Sequence, residues 1–254
     1  MMRHKTGCAI AMTNKRTCHC FKEQIVLKQY GKQCVMLCCI SLLVGCQNSG
    51  VSSSSQQLNM PGMFVNSIGM TMVRLPMGYY VSKYETRQSE FETVMGYNPS
   101  KFPGADHPVE TVTATEADEF CRRLTQLERE NGTLPEGYVY DLPTFSQWME
   151  YVADASLSKA IVQTKGRWWE THQPVGSGEV NRFGLYDLRG NVKEYSKDAY
   201  SPNKPLSSRV ILGADWEETR WDWLQKSNKA GFRDISKKSF DVGFRCVLVP
   251  VAME

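Results

Sequence analysis

The chain reads as an α+β, loop-rich single domain, and three observations point there. Short runs rich in Val, Tyr and Leu alternate with a few segments of helical spacing between residues 70 and 155. Beyond Ala160 the chain breaks into short pieces punctuated by Gly, Asn, Asp and Pro, a pattern of loops and short strands. No second linker-like shift in composition divides the stretch after residue 60, which is long enough for one sizeable core. In chain order, Met72–Pro76 and Gly78–Lys83 read as strands, and Arg87–Met95 has helical spacing through Gln88, Phe91, Val94 and Met95. Thr115–Glu130 is the clearest helix, with Thr115 as its cap, Ala117, Phe120, Cys121 and Leu124 on one face, and Asn131-Gly132 as the stop. Pro143–Ala155 gives a third, with Thr144 as cap and Trp148, Tyr151 and Val152 on the apolar side. The segment 201–208 is a loop and not a domain boundary, and no tandem repeat marks a solenoid.

Ahead of this domain lies a segment of different character. Lys28 and Lys32 flank an apolar run from Cys34 to Val44, which is the size of a signal-peptide core and too short to span a bilayer. Leu43-Val44-Gly45-Cys46 ends that run and resembles the lipobox of bacterial lipoproteins, with Cys46 as the lipidated residue. The organisation expected is therefore a signal peptide with an over-called N-terminal extension over 1–45, a flexible Ser/Asn/Gln-rich tether over 46–60, and a domain over 61–254. Seven basic residues and only Glu23 precede Cys46, so their removal takes the formal charge from +3 to about −3. The basicity belongs to the precursor, and no nucleic-acid footprint remains. Of nine cysteines, Cys8, Cys18, Cys20, Cys34, Cys38 and Cys39 lie in the removed segment. Cys121 and Cys246 are left, either bridged across a long loop or standing as two buried thiols.

A series of motifs then falls in a recognisable order. Tyr84-Glu85-Thr86, Asn98-Pro99-Ser100-Lys101-Phe102, His107-Pro108-Val109, Ala117 to Cys121 and Leu142-Pro143-Thr144 with Trp148 to Tyr151 come first. Asn181 to Asp187, Gly190-Asn191-Val192 with Glu194, and Gly243-Phe244-Arg245-Cys246 complete it. Together they resemble the formylglycine-generating enzyme, or sulfatase-modifying factor, family. The resemblance implies a C-type-lectin-like fold and a disulfide between Cys121 and Cys246. It also implies a structural calcium site, with the side chains of Asp187 and Glu194 and the carbonyls of Gly190 and Val192 as ligands.

The catalytic part of the family pattern is missing. Copper-dependent members bind Cu(I) through two cysteine thiolates, and aligning Gly213-Ala214-Asp215-Trp216 with the family's Gly-Gly-Ser-aromatic motif puts Glu218 and Trp223 in their places. After Cys46, only His107 and His172 could contribute imidazole, too few for the histidine set of related iron oxygenases. Neither copper nor iron is expected. Ala114, Asp141 and Lys193-Glu194-Tyr195 also depart from the family pattern.

What remains suggests binding. Trp168 and Trp169 form one aromatic-acidic cluster with Glu170, and Arg220, Trp221 and Trp223 belong to another, with Trp216 and one of the first pair read as core. The expected protein is non-catalytic, lipid-anchored and periplasm-facing in the cell envelope, with the outer membrane favoured because Gln47 is not the inner-membrane retention aspartate. It would bind an envelope protein or glycan as an accessory or regulatory factor. The alternatives are an oxidoreductase or oxygenase that modifies an envelope peptide or metabolite, and a lectin-like ligand-display protein.

Overall fold

The computed structural model describes residues 62–152, 154–163, 168–199, 207–220 and 231–251. Two sheets carry the described strands. The first runs β1 (Met63–Val65), β2 (Thr71–Arg74), β3 (Tyr80–Ser82), β9 (Val247–Pro250) and β4 (Tyr138–Asp141), all antiparallel. The second runs β7 (Gly231–Asp234), β6 (Ser208–Leu212), β5 (Lys193–Ala199) and β8 (Val242–Gly243), with β8 parallel to β5. β9, close to the end of the chain, sits between β3 and β4, so the first sheet closes only when distant segments meet. These elements belong to a compact unit spanning residues 57–254.

Three helices accompany the sheets. α1 (Gln88–Met95) starts where the Arg87 N–H donates to Glu90 at 2.8 Å, and it ends at Gly96, whose φ of 85° is one that glycine adopts without strain. α2 (Ala114–Glu130) begins earlier than the Thr115 cap expected from sequence. Its cap is Thr113, which accepts the Glu116 N–H at 3.1 Å while the Glu116 carboxylate takes the Thr113 N–H at 2.7 Å. This reciprocal pair satisfies two end donors at once, which is why the chain selects Thr113. α3 (Phe145–Val152) is shorter than the expected span, and Thr144 caps it by accepting the Gln147 N–H at 3.1 Å.

The core follows from these faces. Ala117, Phe120, Cys121 and Leu124 of α2 are buried together with Phe91 of α1 and Phe244. Phe91 and Phe120 stack at 5.6 Å, and Phe244 meets Phe120 edge-on at 5.2 Å, an arrangement that suits the ring quadrupoles. A second cluster joins Trp148, Tyr151 and Val152 of α3 to Val81, Leu212 and Val247, which bridges the two sheets. No helix among the described residues is long and apolar enough to cross a membrane.

Gly243 shows how tightly the Gly-Phe-Arg-Cys segment is held. A Cβ there would stand 2.3 Å from the Val109 carbonyl oxygen and 3.2 Å from the Val192 side chain. Gly243→Ala must push backbone apart, and we expect a loss of at least about 2 kcal/mol in a urea unfolding titration.

Candidate binding cleft and its buried supports

Trp168, Trp169, Glu170, Trp216, Glu217 and Gln163 line an open cleft of about 550 Å³. Trp168 is 78 % exposed, Trp169 is half-buried and Trp216 is only 5 % exposed, so one ring of the predicted pair is presented to solvent. Trp216 is set by the turn after β6. Gly213 takes a φ of 73°, and the Trp216 N–H donates to the Asn191 carbonyl at 2.9 Å. Phe102 meets the ring edge-on at 6.0 Å, and Phe240 lies 6.3 Å away. The indole N–H groups of Trp169 and Trp216 are buried and have no hydrogen-bond partner among the described residues. Trp221 and Trp223 lie outside the described residues, as does Cys46.

Glu218, one of the two positions aligned with the family's copper thiolates, is unlike a metal ligand. Glu218 is buried, and Arg220 grips it with Nε at 2.9 Å on one oxygen and a terminal nitrogen at 2.7 Å on the other. That pairing holds the Glu218 carboxyl below its usual range, so it remains an anion with its charge already matched. The two cysteines are elsewhere. Cys121 and Cys246 stand in the core with sulfurs 3.7 Å apart, both as free thiols and well beyond the roughly 2.05 Å of a covalent bridge. Burial pushes the Cys121 thiol well up, which makes it a poor thiolate donor to any metal.

The four residues expected to hold calcium have these partners within the chain. Asp187, at a φ of 60°, spends its two oxygens on the N–H groups of Gly176 and Gly178. Glu194 receives Arg245 at 2.7 Å, and its second oxygen is unpartnered. Val192 donates its N–H to Glu85 at 3.1 Å, and Gly190 packs its α-carbon against the Ile161 backbone. Asp187 thus has both oxygens occupied and Glu194 one, and among the described residues no group of three or more His, Cys, Asp or Glu side chains could hold a metal ion. Arg245 supplies the cation, reaching Glu194, the Ser82 carbonyl at 3.2 Å and the Tyr186 carbonyl at 2.8 Å. Burial raises the pKa of Glu85 well above the carboxylate range, and the neighbouring Asp187 and Glu194 raise it further.

Sequence reasoning missed one arrangement. Nδ1 of His107 lies 3.0 Å from Nδ1 of His172, and Nε2 of His172 lies 3.6 Å from Oε1 of the buried Glu110. Two imidazole nitrogens can share a hydrogen bond only if one carries the proton and the other a lone pair, so a proton on both Nδ1 atoms would break the contact. Gly104 makes room for it, because a Cβ there would stand 2.5 Å from the His107 ring. A separation of 65 positions hides the contact from any spacing rule. The pair nevertheless bears on the cleft, since Phe102 packs edge-on against both His172 and Trp216.

Two expectations follow. Arg245→Met strips the cation from three buried carboxylates and is expected to lower stability by about 3–5 kcal/mol in chemical denaturation, with no rescue by added calcium. His107 is held below its ordinary value by burial and then by the neighbouring His172 ring, with Asp106 acting weakly the other way. A histidine whose folded pKa lies below its unfolded one gives stability that is complete above about pH 6.5 and is lost as pH falls toward the folded value. The His107 contribution should therefore lower the melting temperature between about pH 7 and pH 5, and it is read as the part of the pH dependence that His107→Gln removes.

Comparison with known proteins accords with this geometry. A chaperone protein, LppX of Paenibacillus barcinonensis, is 28 % identical over 194 residues, covering 54 % of this chain and 69 % of that protein. Among solved structures, PvdO from Pseudomonas aeruginosa superposes with a TM-score of 0.56 at 18 % identity, over 74 % of this chain and 98 % of that one. Treponema denticola variable protein 1 gives 0.56 at 18 % identity, over 75 % and 100 %. CarF gives 0.54 at 19 % identity, over 66 % and 85 %. These structural likenesses establish the C-type-lectin-like, formylglycine-generating-enzyme-type fold. Residues 54–249 match the model of the sulfatase-modifying factor enzyme 1-like domain, and the chain belongs to that family.

Proposed function

We propose that this protein is a lipid-anchored accessory factor of the cell envelope, facing the periplasm, that binds a partner through the tryptophan cleft and carries out no copper oxidation. The observation that supports this most directly is Glu218. Where an oxidase would present a thiolate, the chain buries a carboxylate already neutralised by Arg220, and its two remaining thiols lie in the core. Beside that position the cleft stays open and lined with aromatic side chains, which are enriched where proteins bind partners. The chaperone name of the LppX relative accords with a protein that handles others, and the lipobox at Cys46 supports an anchor, with the outer membrane favoured. In an oxidising compartment Cys121 and Cys246 would close their remaining separation into a bridge over 125 residues, an addition of up to about 4–5 kcal/mol.

Labelled palmitate supplied to cells expressing the full chain should enter it and be lost in Cys46→Ala, and the unreduced protein should weigh two hydrogens less than the reduced one. Cross-linking in intact envelopes should capture a defined protein that Trp168→Ala fails to capture. Oxygen consumption by the purified chain loaded with copper would overturn the non-catalytic reading.

A further inference from the structure

Turns and strand ends gather at one end of the first sheet. β1 starts there at Met63, β2 and β3 are joined there, and β9 runs out there into Val251, whose N–H donates to the Gly137 carbonyl at 2.7 Å. The Arg74 N–H donates to the Gly62 carbonyl at 2.9 Å, which seats the start of β1 beside the β2–β3 turn. Met63 is 57 %, Met77 41 % and Val251 52 % exposed, and Arg74 and Pro76 are exposed with them. Gly62, Arg74, Leu75, Pro76 and Gly78 line a recess of about 400 Å³ at the same place. Lone exposed hydrophobic side chains are ordinary on a protein surface, but a group of them at one end of one sheet marks a contact face. What covers it follows from the chain that leads to it. The stretch from Cys46 to Gly62 extends at most about 55 Å, and a Ser/Asn/Gln-rich coil of that length reaches about 20–25 Å. A domain of this size is about 40 Å across, so a lipid on Cys46 keeps this end close to the bilayer and leaves the opposite end far from it. Apolar side chains held at a bilayer settle into the boundary between headgroups and acyl chains, and an arginine beside them keeps its charged head among the headgroups.

We propose that this end of the first sheet lies on the phospholipid leaflet that holds the anchor, with Met63, Met77 and Val251 entering the boundary beneath the headgroups and Arg74 on a lipid phosphate. The proposal deepens the anchored reading above and rests on Cys46 carrying the lipid. In that pose β3 leads away from the membrane, from Tyr80 toward Arg87, whose Nε lies 3.9 Å from Asp106. The domain then stands on the leaflet in one orientation instead of turning freely at the end of its tether.

The full chain, matured in cells supplied with labelled palmitate, is purified and inserted into preformed vesicles of phosphatidylethanolamine and phosphatidylglycerol that contain a nitroxide lipid with its spin label just below the headgroup. A nitrobenzoxadiazole probe is carried on Met77→Cys or, at the opposite end, on Asp106→Cys. Quenching of the Met77→Cys probe should exceed that of the Asp106→Cys probe by at least about threefold, and dithionite added from the water should reduce it correspondingly more slowly. Adding Met63→Glu and Val251→Glu should abolish most of that difference and Arg74→Glu part of it, with melting temperatures in detergent unchanged because all three side chains are exposed. Equal quenching of the two probes on a chain that carries palmitate overturns the proposal and leaves the anchor intact. A chain that carries no palmitate overturns the anchor and the proposal together, since nothing then holds this end at a bilayer. Shielding of the Met77→Cys probe in native envelopes without quenching in these protein-free vesicles makes the face a protein-docking surface, which also overturns it.

Discussion

One buried guanidinium organises this molecule. Arg245 is fully enclosed on the segment between β8 and β9, yet it reaches Glu194 on β5 of one sheet and the Ser82 carbonyl on β3 of the other. Enclosing a charge is tolerable only when its donors are matched, and the planar fork of arginine matches a carboxylate and two carbonyls where a lysine would not. Glu85 and Asp187 add further carboxyl groups to the same interior, and their raised pKa values show how heavily burial weighs against their charge there. The pair has a directional role beyond energy. It fixes where the two sheets meet, and the apolar cluster of Val81, Leu212 and Val247 then packs across that junction.

Asn191 carries this frame to the cleft. Its amide donates to Glu85 at 2.7 Å and to the Gln173 carbonyl at 3.2 Å, while its side-chain oxygen accepts the Gln173 N–H at 2.8 Å. Its own carbonyl takes the Trp216 N–H at 2.9 Å. The residue holds a φ of 69°, a left-handed conformation that asparagine tolerates better than most side chains. One asparagine thus ties the carboxylate cluster to the chain carrying Trp216 and to the chain that follows Trp168 and Trp169. Bound ligand would meet a wall that is rigid on the Trp216 side and more exposed at Trp168.

The helices were legible in the sequence because their information is local. Phe120, Cys121 and Leu124 recur at helical spacing, and the stop at Asn131-Gly132 is read from adjacent residues. The cap was misplaced by two residues because Thr113 and Thr115 offer the same hydroxyl, and only the reach of Glu116 decides between them. The cleft was partly legible. Its tryptophans stood out by composition, but the burial of Trp216 depends in part on Phe102, more than a hundred residues away. The carboxylate cluster shows the limit most clearly. Nothing local to Asp187 or Glu194 reveals that Gly176 and Gly178 donate to the first while Arg245 donates to one oxygen of the second. The histidine pair is hidden for the same reason, since each ring alone reads as an isolated polar residue.

The contrast between Glu218 and its neighbours Glu170 and Glu217 bears on why a redox scaffold can become a binding one. Thiolates that grip a soft ion must be deprotonated and unpaired, which leaves reactive groups at the site. A carboxylate chelated by Arg220 leaves neither charge nor reactivity, so that part of the surface becomes inert. Glu170 and Glu217 remain exposed on the aromatic cleft, outside any ion pair among the described residues. A concave recess lined by indoles and carboxylates thus lies beside a carboxylate that is already matched, and the binding role proposed above needs only that recess.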